Sequence, residues 1–347
     1  MALKIQEIKQ QGFEKVLSAE DLESGLSAII AIHNTNLGGA CGGIRMLPYG
    51  SHSEALNDVL RLAKGMSYKS ALAGINFGGG KSVIIGDPSK KSPALFHAFG
   101  DFVETFKGKY IAAKDMNIGS SDLALVKQKC RHVLGVEGEP GTSGDPSPVT
   151  AYGVFRALEA TIEFLTGSKK MNGLKVAIQG IGHVGYSFAE YIKKAGGEIW
   201  VTDTNMETVE KAQKELGAKF VALEEIYDLN CDVFAPCARG AVLNSETIPK
   251  LKYKAIVGAA NNQLATPKDG IRLHERKILY APDYAVNSGG IINIFIESQG
   301  YDRNQALNKT EEIYRTIKEV FERSQKTGKP TFEVADQLAE ERLYGKK

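Results

Sequence analysis

Cysteine is scarce in this sequence, and it has neither long apolar runs nor a surplus of one charge. The four cysteines, at 41, 130, 231 and 237, show no Cys-x-x-Cys spacing, which argues against a metal site or a disulfide framework and predicts reduced thiols. The longest apolar runs are broken by glycine and fall short of the ~18 residues that a membrane span requires. The first residues, MALKIQEIKQQGFEK, lack the apolar core of a signal peptide, so we expect a cytoplasmic protein.

The charge balance also restricts the partners. Lysine and arginine number 43 against 41 aspartates and glutamates, which leaves a formal net charge of +2. No basic block interleaved with aromatic residues suggests a nucleic-acid surface, and a nearly neutral chain does not attract polyanions strongly. The composition, 43% hydrophobic and 24% charged, is typical of a globular protein, and 347 residues give room for about two domains.

The first part of the chain mixes helical and strand-like patterns. Apolar residues recur at helical spacing over 53–66, where Ser53 is a candidate N-cap, and Pro93 opens a further helix through 106. Short apolar runs predict strands at 26–32, 83–85 and 110–113. The segment GEPGTSGDPSP, residues 138–148, contains three prolines and three glycines and is therefore predicted to be a loop at the domain boundary.

Beyond that segment, strands and helices alternate. Strand-like runs at 174–179 and 198–202 are each followed by a helical stripe, and a long helix is expected over 302–325. This alternation indicates a parallel, doubly wound sheet. We therefore predict an α/β protein with two domains, which are residues 1–140 joined by a returning C-terminal helix at 326–347, and residues 141–325.

A dinucleotide-binding motif lies at the start of the second domain. Gly180, Gly182 and Gly185 follow the strand LKVAIQ and open a helix, and Asp203 stands 23 positions after Gly180, at the end of the next strand. In this context the glycines permit a tight turn and a close approach of the pyrophosphate to the helix N-terminus. A carboxylate at Asp203 accepts ribose hydroxyls and repels a 2′-phosphate, and Thr204, Asn205 and Met206 supply no arginine, so NAD is favoured over NADP.

A second glycine-rich stretch, GINFGGGKSVIIGDP at 74–88, raises a different possibility. A phosphate-binding loop requires glycine six positions before the lysine, but Ile75 stands there, and a helical pattern precedes Lys81 instead of a strand. Lys69, Lys81 and Asp115 come from different elements and could converge on a zwitterionic substrate. An amine close to another cation and partly desolvated has a lowered pKa and is a usable base near neutral pH.

Several long motifs resemble the leucine, phenylalanine and valine dehydrogenases, which form a superfamily with glutamate dehydrogenase. The resemblance runs nearly from end to end of the chain, and the matching stretches are NLGGACGGIRMLPYG (36–50), RLAKGMSYKSALAGINFGGGKSVIIGDP (61–88), AAKDMNIG (112–119), TSGDPSPVTAYGV (142–154), GIGHVG (180–185), GAANNQLA (258–265) and YAVNSGGIINI (284–294). It implies an N-terminal substrate and oligomerisation domain, a C-terminal Rossmann domain that binds NAD, and a cleft between them. The expected reaction is oxidative deamination of an amino acid by a homo-oligomer, a dimer or an octamer, without a metal.

The resemblance also implies roles for individual residues. Lys81 would be the catalytic lysine, Asp115 would handle the amino group and proton transfer, and Lys69 would bind the substrate carboxylate. Backbone amides at Gly42 and Gly43 would help to bind that carboxylate. The remaining implied contacts are Asn261 for the amino group, Thr150 for the nicotinamide carboxamide, and Gly180, Ile181, Gly182, His183, Val184, Gly185, Cys237, Ala238 and Asn261 for the cofactor.

The expected side-chain pocket is apolar. Cys41 and Ile294 stand where the glutamate enzymes place a lysine and a serine for the side-chain carboxylate, and Ala113 and Ile291 complete the predicted lining. An unpaired buried carboxylate costs several kcal/mol, whereas burial of an aliphatic side chain contributes ~1.5–3 kcal/mol, so leucine or another branched-chain amino acid is favoured. Cys41, Ile291 and Ile294 differ from the usual leucine and valines, which leaves phenylalanine and tryptophan open. A catalytically silent NAD-binding regulator is the remaining alternative. Arg239 replaces a usual leucine and receives no assigned role.

Overall fold

The computed structural model describes residues 3–138 and 141–345, which form two compact units. The first unit comprises residues 1–144, 294–302 and 339–347, and the second comprises 145–293 and 303–338. These bounds differ from the predicted domains at the C-terminal end, where 294–302 joins the first unit and 326–338 the second. Hydrogen bonds from the Gly135 and Ser143 amides to the Glu297 carboxylate, at 2.7 and 2.8 Å, attach 294–302 to the first unit.

The first unit is built on a mixed sheet of six strands. They are β1 (Lys4–Glu7), β2 (Lys15–Asp21), β3 (Leu26–Asn34), β4 (Ala40–Leu47), β5 (Gly78–Ile85) and β6 (Tyr110–Lys114). Their order is β1-β2-β3-β5-β4-β6; β1, β2, β3 and β5 pair antiparallel in succession, whereas β4 is parallel to both β5 and β6. The strands predicted at 26–32, 83–85 and 110–113 lie within β3, β5 and β6. β4 was missed because its Gly-Gly pair weakens the strand pattern.

Three helices flank this sheet: α1 (His52–Ala73), α2 (Pro93–Glu104) and α3 (Ser120–Lys127). The prediction of Ser53 as the N-cap of α1 is wrong, because Ser51 is the residue whose side chain accepts the Glu54 amide. α1 also continues beyond the predicted end at residue 66. Its last turns carry small buried residues such as Ser67 and Ala71, which fit closely against the sheet, and it ends at Gly74 in the left-handed conformation.

The two faces of the sheet carry different chemistry. Along β5, alternate side chains point to opposite faces. Val83 packs in the α1 cluster with Val59 and Ala63, whereas Ile84 packs in the opposite cluster with Phe99. Lys81 therefore points to the same face as Val83, towards α1. The same alternation along β4 puts Cys41, Gly43 and Arg45 on that face, because Ile44 and Met46 belong to the opposite cluster.

The second unit contains the predicted parallel sheet. Its strands are β7 (Lys175–Gln179), β8 (Glu198–Thr202), β9 (Lys219–Phe220), β10 (Val233–Pro236), β11 (Ala255–Ile256) and β12 (Leu279–Tyr280). Every pairing is parallel, and the order β9-β8-β7-β10-β11-β12 reverses direction between β7 and β10. This is the doubly wound order of a dinucleotide-binding sheet, in which ligands bind at the reversal point. The predicted α/β class with a Rossmann-type second part is confirmed.

The remaining helices are α4 (Ser147–Thr166), α5 (His183–Lys194), α6 (Met206–Leu216), α7 (Pro267–Glu275), α8 (Asp283–Val286), α9 (Gly289–Glu297), α10 (Arg303–Thr310), α11 (Glu312–Thr327) and α12 (Thr331–Tyr344). The single helix predicted over 302–325 is two helices, interrupted at Glu311. Of the loop predicted at 138–148, residues 139 and 140 lie outside the described residues, and 141–146 form neither helix nor strand. Within 3–138 and 141–345, no helix is long and apolar enough to span a membrane.

Candidate active site

Lys81 lies within a strand, and the glycines before it are part of that strand. Gly78, Gly79 and Gly80 are the first residues of β5, so the turn after α1 occupies only 74–77. A Cβ at Gly79 would lie 2.0 Å from Ser67 Oγ and 2.6 Å from the Ala63 carbonyl oxygen, both on α1. The glycines therefore allow β5 to pack directly on α1. Lys81 is the next residue of β5 after these glycines, and only 6% of its surface is exposed.

Lys81 and Asp115 form a close ion pair. Lys81 Nζ is 2.7 Å from Asp115 Oδ2, with side-chain exposures of 7% and 26%. Burial lowers the pKa of the Lys81 ammonium, and the nearby Asp115 carboxylate opposes that shift without cancelling it. Burial alone would raise the pKa of Asp115, but Lys81 and Arg45 together hold it below the usual range. The predicted juxtaposition of Lys81 and Asp115 is present in the structure.

Asp115 also belongs to a network of charged side chains that the sequence analysis did not predict. Arg45 Nε donates to Asp115 Oδ2 at 3.1 Å, and its Nη1 donates to Asp58 Oδ2 at 3.1 Å. The Tyr49 hydroxyl donates to Asp58 Oδ2 at 2.8 Å, and Arg61 donates to Asp58 Oδ1 at 2.9 Å. Arg45 stands four residues after Cys41 on β4, and Asp58 lies on α1. The sequence offered no local signal for this network, because β4 itself was not predicted.

The predicted carboxylate-binding residues are also in the first unit. Lys69 is on α1 and half-buried. A Cβ at Gly43 would lie 2.6 Å from Asp115 Cβ, so Gly43 borders the Lys81–Asp115 pair directly. The Gly42 carbonyl oxygen is 2.8 Å from the hydroxyl of the buried Tyr110, which fixes this part of β4.

The residues predicted to line the side-chain pocket do not all belong to one unit. Cys41 on β4 is fully buried, and its neighbour on β6 is Ile111, two residues before Ala113. Burial raises the pKa of the Cys41 thiol to about 12, although Lys81 acts in the opposite direction. Ile294 is in the first unit and contacts Gly135, where a Cβ would lie 3.3 Å from its Cδ1. Ile291, also on α9, belongs to the second unit and is 8% exposed.

The glycine motif of the second unit forms the predicted strand-turn-helix. Gly180 follows β7 with φ of +99°, and a Cβ there would meet the Ala238 side chain at 2.6 Å. A Cβ at Gly185 would lie 2.0 Å from the Gly180 carbonyl oxygen, so this glycine allows α5 to pack against the turn. A Cβ at Gly182 would meet no atom within 4 Å, because this residue borders open space at the N-terminus of α5.

The other predicted cofactor residues surround this turn. Ile181 donates its amide to Asp203 Oδ2 at 2.7 Å, and Val184 lies in the first turn of α5. The His183 side chain is 86% exposed, with Nδ1 3.7 Å from Asp145 Oδ2. The Cys237 amide donates to the carbonyl oxygen of the last β7 residue at 2.7 Å, which holds Cys237 and Ala238 beside the turn. Arg239 is exposed, and nothing in the structure explains it.

The chain matches two family models. Residues 14–132 match the Glu/Leu/Phe/Val dehydrogenase dimerisation domain, and 198–344 match Glutamate/Leucine/Phenylalanine/Valine dehydrogenase. It is 49% identical to a leucine dehydrogenase from Geobacillus stearothermophilus, over 95% of this chain and 90% of the relative. The chain belongs to the Glu/Leu/Phe/Val dehydrogenase family. It is therefore an amino-acid dehydrogenase, an oxidoreductase acting on CH–NH2 groups.

Other relatives in the family act on aromatic substrates. The chain is 46% identical to a phenylalanine dehydrogenase from Lysinibacillus sphaericus, with 96% of this chain and 89% of the relative covered. The crystal structure of an L-tryptophan dehydrogenase from Nostoc punctiforme is similar with a TM-score of 0.87, at 40% identity, and 96% of each chain is covered. Both the sequence and the fold are thus shared with enzymes named for aliphatic and for aromatic amino acids.

The family's nicotinamide cofactor fits the second unit on structural grounds. Open space at Gly182 faces the amides at the start of α5, where a pyrophosphate can be bound. Asn287 is 4% exposed, and among the described residues its Oδ1 has no hydrogen-bond partner, although its Nδ2 donates to Asn261 Oδ1 at 2.7 Å. A Cβ at Gly290 would lie 3.1 Å from Thr150 Oγ1. Asn261, Asn287 and Thr150 can therefore offer polar groups to a carboxamide, and Asn287 was missed from the sequence.

The sequence predicts neither a metal site nor a disulfide framework. Among residues 3–138 and 141–345, no group of three or more His, Cys, Asp and Glu side chains could hold a metal ion. All four cysteines are free, and burial raises the pKa of the Cys231 thiol to about 11.

Proposed function

We propose that this dehydrogenase catalyses the reversible, NAD-dependent oxidative deamination of an apolar L-amino acid to a 2-oxo acid and ammonia. The observation that carries this proposal is the buried Lys81 amine, held 2.7 Å from Asp115 on the α1 face of the sheet. Bound NAD supplies the hydride acceptor. The chemistry left to the chain is the movement of protons and the activation of water.

Lys81 is the proposed general base. Its burial favours the neutral amine, which can take a proton from the water that attacks the imino carbon. Asp115 is ionised at rest, so it can accept a proton from the substrate ammonium group and later return it to the departing ammonia. When the substrate is absent the ammonium form of Lys81 is held by Asp115, so the pair keeps the amine in place for the proton transfer.

Binding of the substrate backbone is assigned to three further groups. Lys69 attracts the carboxylate, and the strand segment at Gly42 and Gly43 borders the Lys81–Asp115 pair closely enough to offer its amides. Asn261, which accepts a hydrogen bond from Asn287, is proposed to bind the amino group. Thr150 is proposed to contact the nicotinamide carboxamide.

Substrate selection follows from the absence of a carboxylate partner. Cys41, Ala113, Ile291 and Ile294 are apolar or neutral, and the buried Cys41 thiol stays protonated because its pKa is about 12. Leucine or another branched-chain amino acid is therefore the proposed substrate, and glutamate is disfavoured. Phenylalanine and tryptophan are the second candidates, since the chain is 46% identical to a phenylalanine dehydrogenase and 40% identical to a tryptophan dehydrogenase.

NAD is preferred over NADP in this proposal. Asp203 follows β8, and its carboxylate accepts amides from Ile181 at 2.7 Å and Asn205 at 2.9 Å. A 2′-phosphate would bring two negative charges to this carboxylate. The proposed site also includes Gly180, Gly182, His183, Val184, Gly185, Cys237 and Ala238.

A homo-oligomer is proposed because residues 14–132 match a dimerisation domain. Light scattering of the purified chain distinguishes a monomer from a dimer or an octamer. The proposed cytoplasmic location is tested by fractionation of the source cells.

The experiment that tests the function is NADH formation with a panel of L-amino acids. We expect the largest kcat/KM with leucine, valine or isoleucine, a smaller value with phenylalanine or tryptophan, and the smallest with glutamate. A protein that binds NAD but oxidises no amino acid would instead be a silent regulator. Glutamate outperforming every apolar substrate would contradict the assigned pocket.

A further inference from the structure

Arg45 joins two carboxylates that lie on different elements. Its Nε contacts Asp115, just after β6, and its Nη1 contacts Asp58 on α1, both at 3.1 Å. The side chains of Arg45 and Asp58 are only 15% and 17% exposed. A guanidinium is suited to this task because its planar fork presents several donors in a fixed geometry, whereas an ammonium is a single point charge.

Arg45 and Lys81 contact the same oxygen. Lys81 Nζ lies 2.7 Å from Asp115 Oδ2 and Arg45 Nε lies 3.1 Å from it, so one negative charge faces two cations. A buried lysine beside an unshared carboxylate would be stabilised as the ammonium. Since Arg45 takes part of the Asp115 charge, the ammonium of Lys81 gains less from the contact.

We propose that Arg45 is a positioning residue for the reaction, which fixes the Asp115 carboxylate and, by sharing its charge, makes the Lys81 amine available as a base. Asp58 in turn holds Arg45 and moderates its charge. The inference rests on the proposed function, because it assigns to Arg45 the control of the proposed base. Arg45 does not itself touch the reacting atoms.

The charged and titratable groups on this face come from β4, β6 and α1, and β3 adds His33, whose Nδ1 lies 2.8 Å from Ser67 Oγ on α1. Asp115 follows β6, Arg45 and the Cys41 thiol are on β4, and Asp58 is on α1. Burial and Arg45 lower the pKa of Lys81, whereas Asp115 and Asp58 raise it. α1 also carries Lys69 and Arg61, and Lys69 is unchanged in every variant below.

Because Arg45 and Asp58 shift the pKa of Lys81 in opposite directions, their variants should shift the pH profile in opposite directions. A purely structural role of Arg45 would not produce this pair of shifts. Arg45→Met removes the shared cation, so the acid limb of the kcat/KM profile for leucine oxidation, where activity falls as Lys81 is protonated, should move to higher pH by about one unit, which is about a tenfold loss of activity below that limb. Asp58→Asn removes the more distant anion, so the limb should move to lower pH by a smaller amount. Arg45→Lys should keep the limb near its original pH, because the charge remains, and lower kcat several-fold, because one ammonium cannot replace the fork.

Arg61→Met is the matched control. Arg61 donates to the same Asp58, but its side chain is 55% exposed, compared with 15% for Arg45, so its charge is better screened by solvent. Its removal should leave kcat nearly unchanged and shift the limb, if at all, much less than Arg45→Met. Circular dichroism and thermal melting establish which variants fold. If Arg45→Met does not fold, the acid shift of Asp58→Asn and the unshifted limb of Arg45→Lys decide.

A second measurement does not depend on activity. The Cε carbon of 13C-labelled lysine reports the titration of Lys81 by NMR, with Lys81→Met identifying the resonance. The midpoint should move up in Arg45→Met and down in Asp58→Asn. Unmoved midpoints, or shifts in the same direction, would overturn the role of Arg45 even if leucine is oxidised. Failure of the wild-type protein to oxidise any amino acid would overturn the proposed function. The titration would still show whether Arg45 controls the pKa of Lys81.

Discussion

The glycines of the two glycine-rich segments have different structural roles. In GGGK, Gly78 to Gly80 lie within a strand, and a Cβ at Gly79 would strike α1 at 2.0 Å. In GIGHVG, Gly182 begins a helix and a Cβ there would meet nothing within 4 Å. The first segment uses glycine to bring two elements together beside a lysine, and the second uses it to leave room for a ligand. A glycine motif is therefore interpreted by what its missing Cβ would meet.

The largest expected effect tests the lysine that follows the first segment. Lys81→Ala should lower kcat by ~100- to 10,000-fold, the usual cost of losing a general base, with NAD affinity nearly unchanged. In the unmodified protein, burial lowers the pKa of Lys81, so activity should rise with pH and level off below the ~10.4 of an exposed lysine. The measurement is steady-state kinetics across pH, with NAD binding measured separately.

Lys114→Ala is the control for this loss of charge. Lys114 precedes Asp115, its side chain is 49% exposed, and it pairs with Glu137 at 3.1 Å. An exposed pair contributes ~0–1 kcal/mol to the free energy of unfolding, so kcat should stay close to that of the original protein. A near-normal kcat in Lys81→Ala would remove Lys81 from the mechanism.

The next effect concerns packing in the first segment. Gly79→Ala forces a methyl group against Ser67 and Ala63, so we expect a loss of about 3 kcal/mol in the free energy of unfolding. Gly65→Ala on α1 is the matched control, because a Cβ there meets nothing within 4 Å and alanine is favoured in helices by ~1 kcal/mol. Denaturant unfolding of both variants measures the difference. Equal stability of the two would contradict the close approach of β5 to α1.

The next prediction concerns Asp203, the carboxylate beside the second segment. Asp203→Ala should narrow the preference for NAD over NADP by about tenfold, ~1.4 kcal/mol, because a 2′-phosphate then meets no anion. Asp203→Asn retains an oxygen for the Ile181 amide and removes the charge, so it should produce a similar change in the ratio of kcat/KM values. Equal efficiency with both cofactors in the original protein would show that Asp203 does not select between them.

The elements with a strong local pattern were predictable from the sequence. The strand before Gly180, the helix after it and Asp203 at the end of the next strand all lie where the motif requires, because the contacts are local in the chain. Lys81 and Asp115 could be chosen as candidates, and the structure brings their charges within 2.7 Å.

Other parts of the site depend on contacts that no local pattern reveals. Arg45 follows a Gly-Gly pair in a segment with no predicted strand, and Asp58 is one of several charged residues on the predicted helix. Neither stands out until β4 is placed beside β6 and against α1. Asn287 is inconspicuous in YAVNSGG until its partner Asn261 is brought to it across 26 residues. The strand order of the first sheet, with β4 between β5 and β6, brings Arg45 to Asp115. That order arises from long-range pairing and was absent from the prediction.

The smallest expected effect separates two glycines of the second segment. Gly182→Ala should leave the free energy of unfolding within ~0.5 kcal/mol of the original, because its Cβ enters open space and its φ of −69° suits alanine. The added methyl group would occupy the approach to the helix N-terminus, so KM for NAD should rise several-fold. Gly185→Ala is the contrasting variant. Its Cβ would lie 2.0 Å from the Gly180 carbonyl oxygen, so its main effect should be a lower free energy of unfolding. Thermal unfolding and NAD titration of both variants make the comparison. If Gly182→Ala binds NAD as tightly as the original, the pyrophosphate does not lie against this residue, and open space at Gly182 has another cause.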